Sequence, residues 1–205
     1  MNADEFVQKF RELAYPAEML HENDSTILLK MFHNNYFCNR RGVPLTLSYS
    51  HNDVILDLIR NYEVDNRSLI FFHDVHFFYS YDDTELDELF TENNSIIIGS
   101  DESYTIVINL TDGVIEYRHF ETPEAESVLE HHGYRCALDG EHFLEAGLWF
   151  VKNTNPIYFT QIKEDRMDLT QEEINTMKVI AEHCTVLAGG SQFADYWYDK
   201  CEIYE

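Results

Sequence analysis

The segment from Tyr104 to Phe120 reads YTIVINLTDGVIEYRHF. It contains two runs rich in β-branched and aromatic residues, 104–110 and 114–120, which flank Thr111-Asp112-Gly113. Asp-Gly between two such runs is a strong signal for a β-hairpin, because glycine readily adopts the positive φ that a tight turn requires. The segment therefore predicts an antiparallel hairpin in the middle of the chain.

Sequence patterns on both sides of the hairpin predict further strands and helices. Upstream strands are expected at Val43–Tyr49, Leu69–Phe72, Val75–Tyr79 and Ser95–Gly99. Helical spacing of apolar residues is found at Asp4–Leu13, Ser25–Phe32, His51–Tyr62, Thr122–Gly133 and from Thr170 to Gly189, with a last short helix that holds Phe193 and Trp197 on one side. We therefore predict a single α+β domain over residues 1–205, with a central antiparallel sheet flanked by N-terminal and C-terminal helices.

The part of the chain between the hairpin and the last long helix is less regular. Leu148–Val151 and Ile157–Ile162 are short apolar runs, which favour strands. Lys152–Pro156 separates them, and it is the nearest candidate for a minor domain boundary, near 152–156.

Two helix starts have recognisable caps. Thr170 and Glu173 have the spacing of a capping box, and Leu169 and Ile174 that of the accompanying hydrophobic staple. Asp53, together with Ser50, is placed to cap the helix that contains Val54–Tyr62.

The charge of the chain is strongly negative and uneven. Among 205 residues there are 38 acidic and 14 basic side chains, a formal net charge of −24. Between Tyr81 and Glu145, seventeen acids face only Arg118 and Arg135, and no lysine occurs between Lys30 and Lys152. Such a field repels nucleic acids and anionic membranes and attracts basic partners. We therefore expect a basic protein partner, no direct nucleic-acid binding and no membrane binding, unless the acidity serves solubility alone.

Exposed ion pairs contribute little to binding affinity, so a partner site also needs aromatic side chains that supply apolar contact. The predicted partner-binding residues are Tyr79, Tyr81, Asp82, Asp83, Asp87, Glu88, Asp101 and Glu102. The tail from Asp195 to Asp199, which reads DYWYD, combines the same residue types and is a second candidate.

No recognised catalytic motif is present, and we predict a protein that is not an enzyme and has no cofactor. His73, Asp74 and His76 are the best candidates for a metal site or an unrecognised hydrolase site, but the two histidines lie three apart and face opposite sides of a regular strand. His183 and Cys184 are neighbours that point in different directions on a helix.

The cysteines and the N-terminus indicate the compartment. Cys38, Cys136, Cys184 and Cys201 form no C-x-x-C pair, and we expect them to be buried or half-buried free thiols. The first residues are acidic where a signal peptide would be basic, and no apolar run reaches the length of a membrane span. These features favour the reducing cytoplasm.

The stretch Ile96–Val114 resembles the central signature of the SUKH superfamily of SMI1/KNR4-type proteins. In that signature an apolar strand ends in Ile-Gly, here Ile98-Gly99, and an acidic turn and a second strand, here 104–110, precede an Asp-Gly turn, here Asp112-Gly113. The resemblance implies an α+β fold and, for bacterial members, an immunity protein that neutralises toxins, often nucleases.

The sequence leaves three functional hypotheses open. The first is an immunity-like protein that covers a basic site on a nuclease-type toxin. The second, in the same broad class, is a phage-encoded nucleic-acid mimic that inhibits a restriction or CRISPR nuclease. The third is a hydrolase with an unrecognised site near His73 and His76.

Overall fold

The computed structural model describes residues 1–13, 37–40, 42, 53–64, 76–77, 94–101, 104–119 and 133–203, and structural statements concern these residues. The elements predicted at Ser25–Phe32, Val43–Tyr49 and Leu69–Phe72, and the helix predicted from Thr122, lie outside them.

Five α-helices and seven strands make up the described structure, which confirms the α+β class. The helices are α1 Ala3–Glu12, α2 Val54–Asn61, α3 Gly140–Glu164, α4 Gln171–Leu187 and α5 Ala194–Lys200, with a 3₁₀ turn at Ser191–Phe193 before α5. The strands are β1 Phe37–Arg40, β2 Tyr62–Val64, β3 His76–Phe77, β4 Ser95–Asp101, β5 Tyr104–Asn109, β6 Ile115–His119 and β7 Tyr134–Ala137. Among the described helices, none is long and apolar enough to cross a membrane.

The main sheet has five antiparallel strands in the order β3-β4-β5-β6-β7, and β1 pairs with β2 in a separate antiparallel ribbon. The predicted hairpin is confirmed as β5–β6, with Ile108 opposite Ile115. Its turn depends on Gly113, which has a φ of 79° and donates its N–H to the Asn109 carbonyl at 2.7 Å. Glycine is therefore the residue that this turn favours.

One face of the sheet is covered by α5, and the contact is both apolar and polar. Tyr196 and Trp197 of α5 are fully buried, as are Ile106 and Ile115 of the sheet. The Trp197 Nε1–H group donates to the Cys136 carbonyl of β7 at 3.0 Å, so that the buried indole has its hydrogen bond. This bond fixes the position of α5 along β7.

Helix α3 corrects the strands predicted at Leu148–Val151 and Ile157–Ile162. The chain is a continuous helix of 25 residues over both runs, and the candidate boundary Lys152–Pro156 lies inside it. Its buried side chains recur at helical spacing, and they are Phe143, Leu144, Ala146, Phe150, Val151, Thr154, Tyr158 and Gln161. The short apolar runs are thus parts of one helical stripe, and Pro156 lies on the exposed side.

Other predictions differ from the structure in detail. The helix expected at His51–Tyr62 begins at Val54, and Tyr62 already belongs to β2. Strand β7, which no sequence pattern predicted, forms the edge of the sheet beside β6. The helix predicted from Thr170 to Gly189 is confirmed as α4, whose buried residues include Met177, Ile180, Ala181 and Cys184.

A buried carboxylate connects the starts of α2 and α3. Asp53 caps α2, where its Oδ1 accepts the Ile55 N–H at 2.7 Å, and its Oδ2 accepts the Gly140 N–H at 3.0 Å. Asp53 is only 7% exposed. A Cβ added at Gly140 would lie 2.1 Å from Asp53 Oδ1, so the close approach requires glycine.

We expect Asp53→Ala to lower the free energy of unfolding by about 2–3 kcal/mol, because it removes a helix cap and leaves a second buried N–H group without an acceptor. The measurement is urea denaturation followed by far-UV circular dichroism. The control is Asp57→Ala, which removes a half-exposed carboxylate paired with Arg60 and should cost less than about 1 kcal/mol.

Gly140→Ala supplies an independent test of the same contact. Alanine has the higher helix propensity, so the substitution would stabilise an unconstrained helix. We expect it to destabilise this protein, because the methyl group displaces the Asp53 carboxylate. An increase in stability would contradict the assigned role of Asp53.

The corner between α3 and α4 is held by Arg166. Its guanidinium group contacts Glu164 at 2.6 Å and Glu173 at 2.9 Å, and it also donates to the Asp168 carbonyl at 2.9 Å. The predicted capping box is confirmed, since Thr170 and Glu173 each accept the other's backbone N–H. Hydrogen bonds from Arg166 and Thr170 lower the pKa of Glu173 to about 2.

The pKa of Glu173 gives a pH-dependent prediction with a definite sign. A lowered pKa means that Glu173 stabilises the fold above its unfolded-state pKa of about 4.3, and that this contribution is lost as the pH falls towards about 2. In Arg166→Gln we expect the Glu173 carboxyl group to titrate closer to its ordinary value, as measured by its ¹³C chemical shift. Arg135→Gln, which removes a distant arginine, should leave the Glu173 titration unchanged.

Candidate functional site

The predicted partner-binding residues fall mostly outside the described part of the chain. This holds for Tyr79, Tyr81, Asp82, Asp83, Asp87, Glu88 and Glu102. Asp101 is the last residue of β4, where it pairs with Tyr104 at the end of the sheet opposite the Gly113 turn. The strand predicted to end at Gly99 therefore continues to Asp101, and a bulge between Ile97 and Gly99 shifts its register.

Of the residues proposed for the alternative metal or hydrolase site, only His76 lies in the described part of the chain. His76 lies on β3, where it pairs with Ser100, while His73 and Asp74 lie outside the described residues. Within the described ranges, no group of three or more histidine, cysteine or acidic side chains is arranged to hold a metal ion.

The tail from Asp195 to Asp199 is not a contact surface of exposed aromatic residues. Tyr196 and Trp197 are both 0% exposed and belong to the core. Tyr196 packs edge-on against Tyr117 with ring centroids 5.5 Å apart, and Trp197 lies 6.1 Å from Phe143. The second candidate segment therefore holds α5 on the sheet, which is the reason for its aromatic composition.

An open groove between α1 and the start of α3 was not predicted from the sequence. It has a volume of about 430 Å³, and it is lined by Met1, Glu5, Gln8, Lys9, Glu12 and Glu145. Glu5 exchanges hydrogen bonds with Asn2 in a reciprocal cap of α1, and Glu12 accepts from Gln8 at 3.3 Å. The lining includes three glutamates and Lys9, so these side chains carry a formal net charge of −2.

Arginines of the described structure are engaged by carboxylates of the chain itself. Arg60 contacts Asp57 at 3.1 Å, and Arg135 contacts Asp112 at 2.8 Å. Arg118 donates to Glu116 at 2.7 Å, and Arg166 binds two glutamates. Such pairs remove basic groups from the surface available to a partner, and the surplus of acids remains.

Three of the four cysteines are buried free thiols, as predicted. Cys136, Cys184 and Cys201 are 0% exposed, and their sulfur atoms form no disulfide. Burial raises the pKa of Cys201 to about 12, and it raises the pKa values of Cys136 and Cys184 above the usual range. Because the thiolate is the reactive form, these cysteines are unsuited to nucleophilic catalysis.

We expect the buried thiols to be unreactive in the folded protein. In a Cys38→Ser background, an aromatic disulfide reagent should modify no thiol in native buffer at pH 8 and three thiols after unfolding in guanidinium chloride. The reaction is followed by absorbance. Rapid modification of a native thiol would show that at least one sulfur is accessible.

Comparison with protein-family models, with curated proteins and with solved structures finds no match to the chain. The resemblance of Ile96–Val114 to the SUKH superfamily therefore stays a prediction. The strands expected in that stretch are present as β4 and β5, followed by the turn that leads into β6. Strands in this order establish a local fold and carry no function by themselves.

Proposed function

We propose that this protein is a non-enzymatic acidic inhibitor that binds and neutralises a basic protein, in the manner of an immunity protein acting on a nuclease-type toxin. The observation that carries the proposal is the charge. With 38 acids and 14 lysines and arginines, the chain has a formal net charge of −24.

The described ion pairs support this reading of the charge. Arg118 and Arg135 are the two basic residues between Tyr81 and Glu145, and each is already held by an acid, Glu116 and Asp112 respectively. After these two arginines are counted, the segment keeps a formal surplus of fifteen negative charges. Nucleases bind polyanions through basic clefts, so they are a partner class that this field attracts.

The absence of a suitable nucleophile among the buried thiols also favours binding over catalysis. Cys136, Cys184 and Cys201 have raised pKa values and no access to solvent. Partner binding through the acidic segment that contains Asp82, Asp83, Asp87 and Glu88 is the simplest function for such a charge distribution.

The proposal predicts how binding depends on salt. The immobilised chain is used to capture a partner from native lysate at low salt, and the partner is then eluted, identified and purified. We expect this partner to be a basic protein. Its affinity should fall at least about tenfold between about 50 and 300 mM salt, because screening weakens attraction between exposed charges. A nuclease partner should lose its activity when one equivalent of the chain is added.

Two matched variants locate the interaction. Asp82→Asn/Asp83→Asn/Asp87→Asn/Glu88→Gln should slow association about fivefold or more, with a smaller change in dissociation rate. The control neutralises four exposed acids elsewhere, Asp165, Asp168, Asp195 and Glu202, and changes the net charge equally. If the two variants associate with the partner at equal rates, the acidic segment is not the binding site. Salt-independent binding, a captured partner that is not basic, or no capture at all would contradict the proposal itself.

A further inference from the structure

The solvent-facing side of α4 carries two exposed valines among polar residues such as Asn175 and Thr176. Val179 and Val186 are 62% and 69% exposed, and they lie seven residues apart on the same side of the helix. His183 lies between them on that side and is also exposed. We call Val179, His183 and Val186 the α4 face.

Two neighbouring segments of the chain lie beside α4. Leu138 is 45% exposed, and its N–H donates to the Ala188 carbonyl just beyond the end of α4 at 2.9 Å. On α3, the Trp149 ring lies 4.1 Å from the His183 ring, and its buried Nε1–H has no acceptor among the described residues. Two of the four large hydrophobic residues that are exposed in the described structure, Val179 and Val186, thus lie on α4.

The charges around the α4 face select one kind of occupant. Glu172 and Glu182 are exposed on the same side of α4, whereas Lys178 points about 100° away from Val179. A second copy of this chain would bring another formal charge of −24 to the face, so self-association is opposed by repulsion. An amphipathic helix with a basic border satisfies both the apolar centre and the acidic border.

We infer that the α4 face docks an amphipathic basic helix of the partner protein, with the apolar side chains of that helix over Val179 and Val186 and its lysines or arginines near Glu172 and Glu182. The inference rests on the proposed function and assigns it a second contact surface, apart from the acidic segment between Tyr79 and Glu102. Apolar contact at the α4 face supplies affinity, while the acidic field accelerates the encounter.

The test uses two synthetic peptides of about 18 residues, long enough to form a helix. One has leucines at helical i, i+3, i+4 and i+7 spacing with lysines elsewhere, and the other has the same composition in a scrambled order. Both are labelled, and binding is measured by fluorescence anisotropy at one salt concentration. The amphipathic peptide is expected to bind at least about tenfold more tightly than the scrambled one.

Val179→Ala/Val186→Ala should reduce that difference to about twofold or less. Alanine has a higher helix propensity than valine, so the thermal midpoint should stay the same or rise, and weaker binding cannot be attributed to unfolding. Met167→Ala is the matched control, because Met167 is 97% exposed but lies outside α4. This control should bind both peptides like the unmodified protein.

The two tryptophans, Trp149 and Trp197, provide a local readout. The amphipathic peptide should change the emission of Trp149 beside His183, and Trp149→Phe should abolish the change because the remaining Trp197 is fully buried. A change in emission that persists in Trp149→Phe would place the peptide elsewhere and overturn the inference.

The outcomes separate the inference from the proposed function. Docking at the α4 face would be overturned if both peptides bound equally and in a salt-dependent way. It would also be overturned if Val179→Ala/Val186→Ala still preferred the amphipathic peptide. Either result would leave the electrostatic proposal intact. If neither peptide binds at low salt, the electrostatic proposal fails as well. If the unmodified protein self-associates and Val179→Ala/Val186→Ala does not, the occupant of the α4 face is a second copy of the chain, and the inference is overturned.

Discussion

The N-terminal helices are joined to the rest of the protein through the carboxylate of Asp53. A buried charge requires hydrogen bonds, and Asp53 obtains them from the Ile55 and Gly140 N–H groups, which begin α2 and α3. Because both oxygens are engaged, neither helix start can move without exposing an unsatisfied group. A hydrogen bond at 2.7 Å from the Tyr62 hydroxyl, at the end of α2, to Asp4 then attaches α1 to the same unit.

Ion pairs within the chain involve several of its arginines. Within the described structure, Arg60, Arg118, Arg135 and Arg166 pair with carboxylates, and Arg166 at the α3–α4 corner is the clearest example. The formal charge of −24 is what remains after all basic residues are counted. A protein with this charge is attracted to basic proteins over a distance of about a Debye length, which depends on salt.

Local sequence signals predicted the parts of the fold whose causes are local. The Asp112-Gly113 turn and the capping box of Thr170 and Glu173 are each determined by residues within four positions. The strands predicted within α3 were wrong because a run of four to six mainly apolar residues fits the period of a strand as well as that of a helix. Only the whole stripe from Phe143 to Gln161 shows the helical period. The contact of Asp53 with Gly140 joins residues 87 positions apart, and no spacing rule anticipates it. The burial of Tyr196 and Trp197, and the apolar α4 face, likewise depend on tertiary packing.

The order of the five-stranded sheet has a consequence for how the chain reaches its native state. Each strand pairs with the strand that precedes or follows it in the sequence, and α3 and α4 are joined by a short corner. The β4–β5 and β5–β6 pairings close loops of only two and five residues, which loses little chain entropy. The bond of Asp53 to Gly140 closes a long loop instead. Forming the β4–β5–β6 unit therefore costs less chain entropy than bringing Asp53 to Gly140.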